Sequence, residues 1–153
     1  MVTVAGGMGT RLGSDKPKGE FPISPIVGKS IFQLHAEKIR AIMKRYNTTL
    51  PWYIMTSANN HEMTRGFFEE NSYFGLSTDH VSFFIQGELP VLDNEGKLLM
   101  DSRSSIVTSP NGHGGTLSAL KENGILSEMN ELGIKHIFYH QIDNVLIKIS
   151  DPL

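Results

Sequence analysis

Cysteine is missing from this chain of 153 residues, which removes disulfides, thiolate metal sites and a cysteine nucleophile together. No apolar run approaches the roughly 20 residues of a membrane-spanning helix. No basic segment precedes an apolar stretch at the N-terminus, so no secretory signal is read and a cytosolic setting is expected. Positive charge is not in surplus either: 14 Lys and Arg face 16 Asp and Glu, for a formal net charge of −2. That balance excludes broad, nonspecific nucleic-acid binding, which needs a basic face. Repeats, low-complexity tracts and linkers are absent as well. What is present is one domain's worth of chain with 39% apolar residues, enough for a substantial core.

Strand-like and helix-like segments alternate, which predicts an α/β fold with a mostly parallel central sheet. Strands are expected over residues 1–5, 52–56, 81–85 and 135–142. Ser30 is placed to cap a helix running to about Tyr46, with Ile31, Leu34, Ile39, Ile42 and Met43 on its apolar face. Asn59 or Asn60 caps a second helix ending near Glu70, and residues 115–120 and 127–132 read as two more. Residues 89–92 and 98–100 flank Asp93-Asn94-Glu95-Gly96 as the arms of a hairpin. Phe67-Phe68 and Phe83-Phe84 read as core. The histidines show no metal-site spacing, so His35, His61, His80, His136 and His140 are expected to be structural or surface groups.

The densest signal is Val4-Ala5-Gly6-Gly7-Met8-Gly9-Thr10-Arg11-Leu12-Gly13-Ser14-Asp15-Lys16-Pro17-Lys18-Gly19, directly after the first strand. Glycines let a backbone approach a ligand closely and reach φ > 0, so that successive N–H groups can face an anion. Arg11, Lys16 and Lys18 add positive charge beside them. The expected object is a cradle for a phosphorylated nucleotide. Two common phosphate loops do not fit. Walker A needs Gly-Lys-Ser/Thr after four variable residues, but Ser14 and Asp15 follow Gly13. The dinucleotide fingerprint starts at Gly7 and Gly9, then meets Leu12 where its third glycine belongs. Residues 14–29, the longest stretch without predicted structure, carry lysines and three prolines and are expected to form an ordered lid over the phosphates.

The pattern G-G-x-G-T-R-L-G…P-K-G resembles the signature of the nucleotidyltransferases that make UDP-sugars. More narrowly, it resembles eukaryotic-type UDP-N-acetylglucosamine pyrophosphorylases and their UDP-sugar and UDP-glucose relatives. Further blocks match in order: Ile31-Phe32-Gln33-Leu34-His35-Ala36-Glu37-Lys38-Ile39, Pro51-Trp52-Tyr53-Ile54-Met55-Thr56-Ser57, Tyr73-Phe74-Gly75-Leu76, Phe83-Phe84-Ile85-Gln86-Gly87-Glu88-Leu89-Pro90, and Asp143-Asn144 through Asp151-Pro152. The resemblance implies a three-layer α/β/α nucleotide-diphospho-sugar transferase-like domain, Rossmann-like and of GT-A type. It also implies that residues 1–153 are the N-terminal nucleotide-binding part of an incomplete catalytic domain, with a helical region expected before them and a sugar-binding portion after them.

Three other places carry chemistry. His140-Gln141-Ile142-Asp143-Asn144 ends a strand, where ligands of open α/β sheets sit. Asp143 there either caps a following helix or holds Mg²⁺ against a triphosphate, and the resemblance identifies it as the metal-binding aspartate. Asp151 is a weaker candidate and reads better as ending an element before Pro152. Ser109-Pro110-Asn111-Gly112-His113-Gly114-Gly115 opens a helix, offering N–H groups to a base edge or a phosphate. Gln86, at a strand end, carries an amide that can pair with both a donor and an acceptor.

The resemblance implies that Ala5, Gly6, Gly7, Gly9, Lys18, Gln86, Gly112 and Asp143 bind the nucleotide. Gln86 and Gly112 would read uracil, and His113 would touch the sugar. Arg11 and Lys18 would act on the phosphates during transfer of UMP from UTP to a sugar 1-phosphate. At position 113 the N-acetylglucosamine enzymes usually carry asparagine and the UDP-glucose enzymes histidine, whereas Gly114-Gly115 and Asp143-Asn144 follow the N-acetylglucosamine branch. Three alternatives stay open: a UDP-glucose-type enzyme, a relative using GTP or CTP, and a UTP-binding module without turnover.

Overall fold

In the computed structural model, which describes residues 1–150, the elements run β1 (Val2–Val4), α1 (Ile31–Tyr46), β2 (Trp52–Thr56), α2 (His61–Glu70), β3 (Val81–Ile85), β4 (Glu88–Pro90), β5 (Met100–Ser102), β6 (Ser105–Ile106), β7 (Thr108–Pro110), α3 (Thr116–Glu122), α4 (Ile125–Glu131) and β8 (Tyr139–Gln141). All five residues of β2 are buried. A strand buried on both faces needs a strand on each side and a layer above and below. The sheet order is β3-β2-β1-β8, every pair parallel, with Val2 level with both Tyr53 and Tyr139. Trp52 and Ile54 pack with Phe32, Ala36 and Ile39 of α1 and Phe68 of α2. Tyr53 and Met55 point the other way, joining Val2 and Phe84 against Leu120 of α3 and Ile125 and Met129 of α4. The alternation along one strand thus builds both cores of a three-layer α/β/α sandwich. Asp151, the last residue singled out in the sequence, lies outside the described residues.

The helix signals act as expected at α1. Ser30 Oγ accepts the Gln33 N–H at 3.1 Å, and Asn47 ends the helix in a left-handed conformation at φ 47°. Its buried stripe centres on Phe32, Ala36 and Ile39, with Leu34 at the margin. Phe32 and Phe68 meet edge-on with ring centroids 5.0 Å apart, and Phe32 meets Trp52 at 6.4 Å. Each such fully buried ring contributes about 1.5–3 kcal/mol. Phe67-Phe68 and Phe83-Phe84 are core, as expected, with Phe68 and Phe84 fully buried. After α2 the chain reverses through Ser72, Tyr73 and Phe74 at φ 49°, 51° and 53°. Left-handed backbone costs roughly 1–2 kcal/mol per residue. Tyr73 and Phe74 offset it by packing edge-to-face on Phe68, with ring centroids at 6.0 and 5.2 Å.

Two expectations need correction. The last strand spans Tyr139–Gln141 rather than residues 135–142, because β1, its partner among the described residues, is three residues long. The expected turn at 93–96 forms, with Leu92 bridged to Leu98 and the Asp93 N–H on Lys97 O. Its arms pair as expected only beside the turn, where the Leu99 N–H also bonds Val91 O; beyond it β4 pairs with β7 and β5 with β6, giving a meander in which no residue is buried.

One buried polar chain crosses the sheet. Trp52 Nε1–H donates to Thr3 Oγ1 at 2.7 Å, Thr3 Oγ1 lies 2.8 Å from His140 Nε2, and His140 Nδ1 lies 2.9 Å from Gln141 O. A carbonyl can only accept, so Nδ1 carries the proton and Nε2 accepts from the Thr3 hydroxyl. His35 Nε2–H likewise donates to Ile142 O at 2.9 Å, leaving its Nδ1 buried without a partner. Both imidazoles are neutral. Burial pushes the His35 pKa down to about 4 and lowers that of His140 as well. Between about pH 6.5 and 4 the unfolded chain therefore binds protons that the folded chain refuses. Stability held in full above pH 6.5 should fall as pH drops through that window, with a His35 share on the order of 3 kcal/mol. Denaturant unfolding at pH 7.0 and 4.5 checks this: His35→Gln should show a clearly smaller loss between the two pH values than the parent chain.

Candidate functional site

The sheet runs outward from β1 through β2 to β3 and then returns to the other flank of β1 at β8. Ligands of open α/β sheets bind in the crevice beyond the carboxyl ends of strands where the winding reverses. Here that crevice opens between the segment after β1, residues 5–13, and the segment after β8, residues 142–145. Residues on both sides line a cleft of about 610 Å³: Gly7, Gly9, Arg11 and Lys18 from the first segment and its continuation, Asp143 and Val145 from the second.

The two segments touch through one ion pair. Lys18 Nζ donates to Asp143 Oδ2 at 3.0 Å, with the two side chains 29% and 45% exposed. Lys18 opens a one-turn 3₁₀ segment, Lys18–Glu20, and its N–H bonds Gly7 O at 3.0 Å, so the lysine stem lies along the glycine loop. Gly9 accepts from Leu12 and Ser14 and donates to Lys16 O, which folds Thr10–Leu12 into a second 3₁₀ turn carrying Arg11. The segment from Ser14 to Lys29 is fastened by two isolated bridges, Met8 to Pro17 and Pro22 to Ser30. Among the described residues, the N–H groups of Gly6, Gly7, Met8, Thr10 and Arg11 make no hydrogen bond. They are the donors an anion in this loop can use.

One part of the glycine expectation needs correction: Gly6, Gly7 and Gly9 are not at positive φ, and in this loop only Gly13 is, at 70°. Gly6 and Gly9 provide close approach within the protein. A Cβ on Gly6 would lie 2.7 Å from Gln86 Nε2, and one on Gly9 would lie 3.1 Å from Lys16 O. Gln86 therefore reaches across the end of β2 and rests on Gly6. It is 7% exposed, its N–H bonds Thr56 O at 2.8 Å, and its amide makes no hydrogen bond among the described residues. Ala5 is buried, and its N–H and C=O are both occupied, by Met55 O and Asn60 Nδ2.

Gly112 and His113 lie in the 3₁₀ turn Gly112–Gly115 that leads into α3. Asn111 ties this turn to the segment after β3: its N–H bonds Gly87 O at 3.0 Å, and its side chain fills the space where Cβ atoms on Gly87 and Gly115 would fall. Gln86, Gly112 and His113 do not line the phosphate-side cleft; Gln86 rests on Gly6, the residue before Gly7 of that cleft. His113 Nδ1 lies 2.6 Å from the Tyr139 hydroxyl. The sequence reading missed two partners, Asn60 and Tyr139. Neither lies in a recognisable motif, and only the folded neighbourhood reveals what each one touches.

Asp143 does not cap a helix, because residues 143–150 form turns. Among the described residues no three His, Cys, Asp or Glu side chains gather to form a metal cage. A single half-exposed carboxylate nevertheless suits Mg²⁺, which keeps most of its waters and takes its remaining oxygens from phosphates. The donor set fits a cation that arrives with a nucleotide.

A family model described as UTP–glucose-1-phosphate uridylyltransferase matches residues 1–152. The chain is 43% identical over 157 residues to the UDP-N-acetylglucosamine pyrophosphorylase of Saccharomyces cerevisiae, covering 100% of this chain and 33% of that protein. It is 41% identical over 163 residues to UDP-N-acetylglucosamine diphosphorylase 2 of Arabidopsis thaliana, covering 99% and 32%. Among solved structures, the uridine diphosphate N-acetylglucosamine pyrophosphorylase of Trypanosoma brucei in complex with an inhibitor matches with a TM-score of 0.89 and 37% identity, over 98% of this chain and 33% of that one. The chain spans about a third of the length of the curated relatives it matches.

Two glycine substitutions separate space kept for the site from space kept for the core. A Cβ on Gly19 would fall 2.2 Å from the fully buried Phe32 ring, so Gly19→Ala should cost about 1–3 kcal/mol in denaturant unfolding. A Cβ on Gly6 meets only the end of a flexible side chain. Gly6→Ala should stay within about 0.5 kcal/mol of the parent while shifting the Gln86 side-chain amide resonances.

Proposed function

This chain belongs to the UTP–glucose-1-phosphate uridylyltransferase family, and on that premise we propose that it is the nucleotide-binding part of an enzyme that transfers UMP from UTP to N-acetylglucosamine 1-phosphate, releasing pyrophosphate. The observation that carries this reading is the cleft itself. It places unpaired loop N–H groups, Arg11, Lys18 and Asp143 around one space, with the Gln86 amide touching the loop at Gly6. Relatives named for N-acetylglucosamine support the choice of sugar.

The chemistry asks for position and charge rather than for a base. An oxygen of the sugar phosphate is already anionic at neutral pH and attacks the α-phosphorus of UTP in line with the departing pyrophosphate. The N–H groups of Gly6, Gly7, Met8, Thr10 and Arg11 hold the phosphate oxygens without reorganising. Arg11 and Lys18 meet the charge that builds on the α-phosphate and the leaving group. Asp143 would hold Mg²⁺, which supplies further neutralisation of phosphate charge when bound. The Lys18–Asp143 pair is exposed enough to part for about 1 kcal/mol or less, which leaves both groups available to a ligand. Gln86 and Gly112 present the donor and acceptor that distinguish uracil from other bases, and His113 faces the sugar. No helix of the described residues is long and apolar enough to cross a membrane.

Calorimetric titration with UTP, GTP and CTP in Mg²⁺, run beside a pyrophosphate-release assay with N-acetylglucosamine 1-phosphate and glucose 1-phosphate, tests the reading. UTP should bind best, and Gln86→Ala should narrow its lead over CTP. Lys18→Ala should slow pyrophosphate release by about a hundredfold with a smaller change in UTP affinity. Unchanged turnover would remove Lys18 from the assignment. Tight UTP binding without any turnover would mark the chain as a binding module.

A further inference from the structure

Asn60 precedes α2 where a helix cap is expected, but its side chain caps nothing. It is fully buried, and its amide points back into the sheet end. Oδ1 accepts the Ser57 N–H at 2.8 Å and the Ser57 hydroxyl at 3.1 Å. Nδ2 donates to Ala5 O at 2.9 Å and, at 3.5 Å, to Gly7 O. The amide orientation follows from its partners: the Ser57 donors require the oxygen, and the two carbonyls require the nitrogen. One side chain thus clasps the segment after β2 to the segment after β1.

The clasp has a consequence for direction. Each peptide unit is planar and none of those described here is cis, so a carbonyl and the following N–H point in opposite directions. Holding Ala5 O and Gly7 O inward turns the N–H groups of Gly6 and Met8 outward, and both are among the unpaired donors of the loop. The Gly7–Met8 peptide is also held by the Lys18 N–H on Gly7 O at 3.0 Å, so the clasp matters most for the Ala5–Gly6 peptide, whose carbonyl has no other donor among the described residues and which glycine leaves free to rotate.

We propose that Asn60 is a positioning residue for anion binding: by fixing Ala5 O, and by supporting Gly7 O together with the Lys18 N–H, it aims the Gly6 and Met8 N–H groups at a polyphosphate. The inference rests on reading this loop as the triphosphate site. It predicts that the donor at Nδ2, and not merely the bulk at position 60, sets the affinity.

The test uses the whole chain with inorganic tripolyphosphate and with UTP, each in Mg²⁺, well below the melting temperature. Asn60→Asp keeps the shape but removes the donor, and Asn60→Ser removes both the reach and the added charge. Each should lose about tenfold or more in tripolyphosphate affinity. Ser57→Ala, on the opposite side of the amide, should lower the melting temperature yet keep the affinity within about twofold. In the parent chain, tripolyphosphate should shift the Gly6 and Met8 amide proton resonances and leave those of Ala5 and Gly9, which are already bonded, nearly in place. A folded Asn60 variant with parental affinity overturns the inference. So does an equal loss in Ser57→Ala, or unmoved Gly6 and Met8 resonances on binding, whether or not the variants fold. Tripolyphosphate binding without UTP binding overturns the uridylyl reading and leaves the role of Asn60 standing; binding of neither overturns both.

Discussion

Strand β1 is three residues long and hydrogen-bonded along both edges, and the placement of every group in the cleft follows from it. With β2 on one flank and β8 on the other, the chain must leave β1 towards one wall of a crevice and leave β8 along the opposite wall. So short a strand has no spare residue with which to absorb a slip. Moving its register by one would turn Val2 out of the α3–α4 core and carry Thr3 away from Trp52 and His140. The buried polar chain through Thr3 therefore does more than satisfy its own donors: it identifies the one register that brings the glycine loop and Asp143 to the same level.

The site gathers its positive character locally. The chain as a whole carries a slight negative charge, so no long-range field draws an anion here. Attraction is concentrated in backbone N–H groups and in Arg11 and Lys18. Such an arrangement favours a compact polyanion that can accept many hydrogen bonds at once, over an extended one that reads charge at a distance.

Much of this was legible from sequence where local physics decides the outcome. Ser30 before an apolar stripe gave a capped helix, and the apolar runs at 52–56 and 81–85 became strands with those bounds. Asp143 and the glycine loop were recognisable because both sit at strand ends. The end of β8 was not legible, since its length is dictated by a partner more than a hundred residues away. Nor was the purpose of Gly6, which depends on where Gln86 comes to rest. Asn60 looked like a cap because caps are local, and its Oδ1 does bond locally to Ser57, but the two bonds of its Nδ2 that reach the glycine loop span 55 and 53 residues. The errors all concern long-range partners.

The meander from Glu88 to Pro110 holds no buried residue, yet it interrupts the chain between Gln86 and Gly112. Its two ends are fastened together at the base, where the Asn111 N–H meets Gly87 O. Its hydrogen bonds are internal, so its opening is decoupled from that of the sandwich, and it forms a separate, weaker cooperative unit. Loop-closure entropy changes slowly with length once the ends are pinned. The stretch is consequently a place where the polypeptide can be lengthened, shortened or replaced over generations while the groups on either side of it keep their distance. The fold in this way separates what is free to diversify from what must stay still.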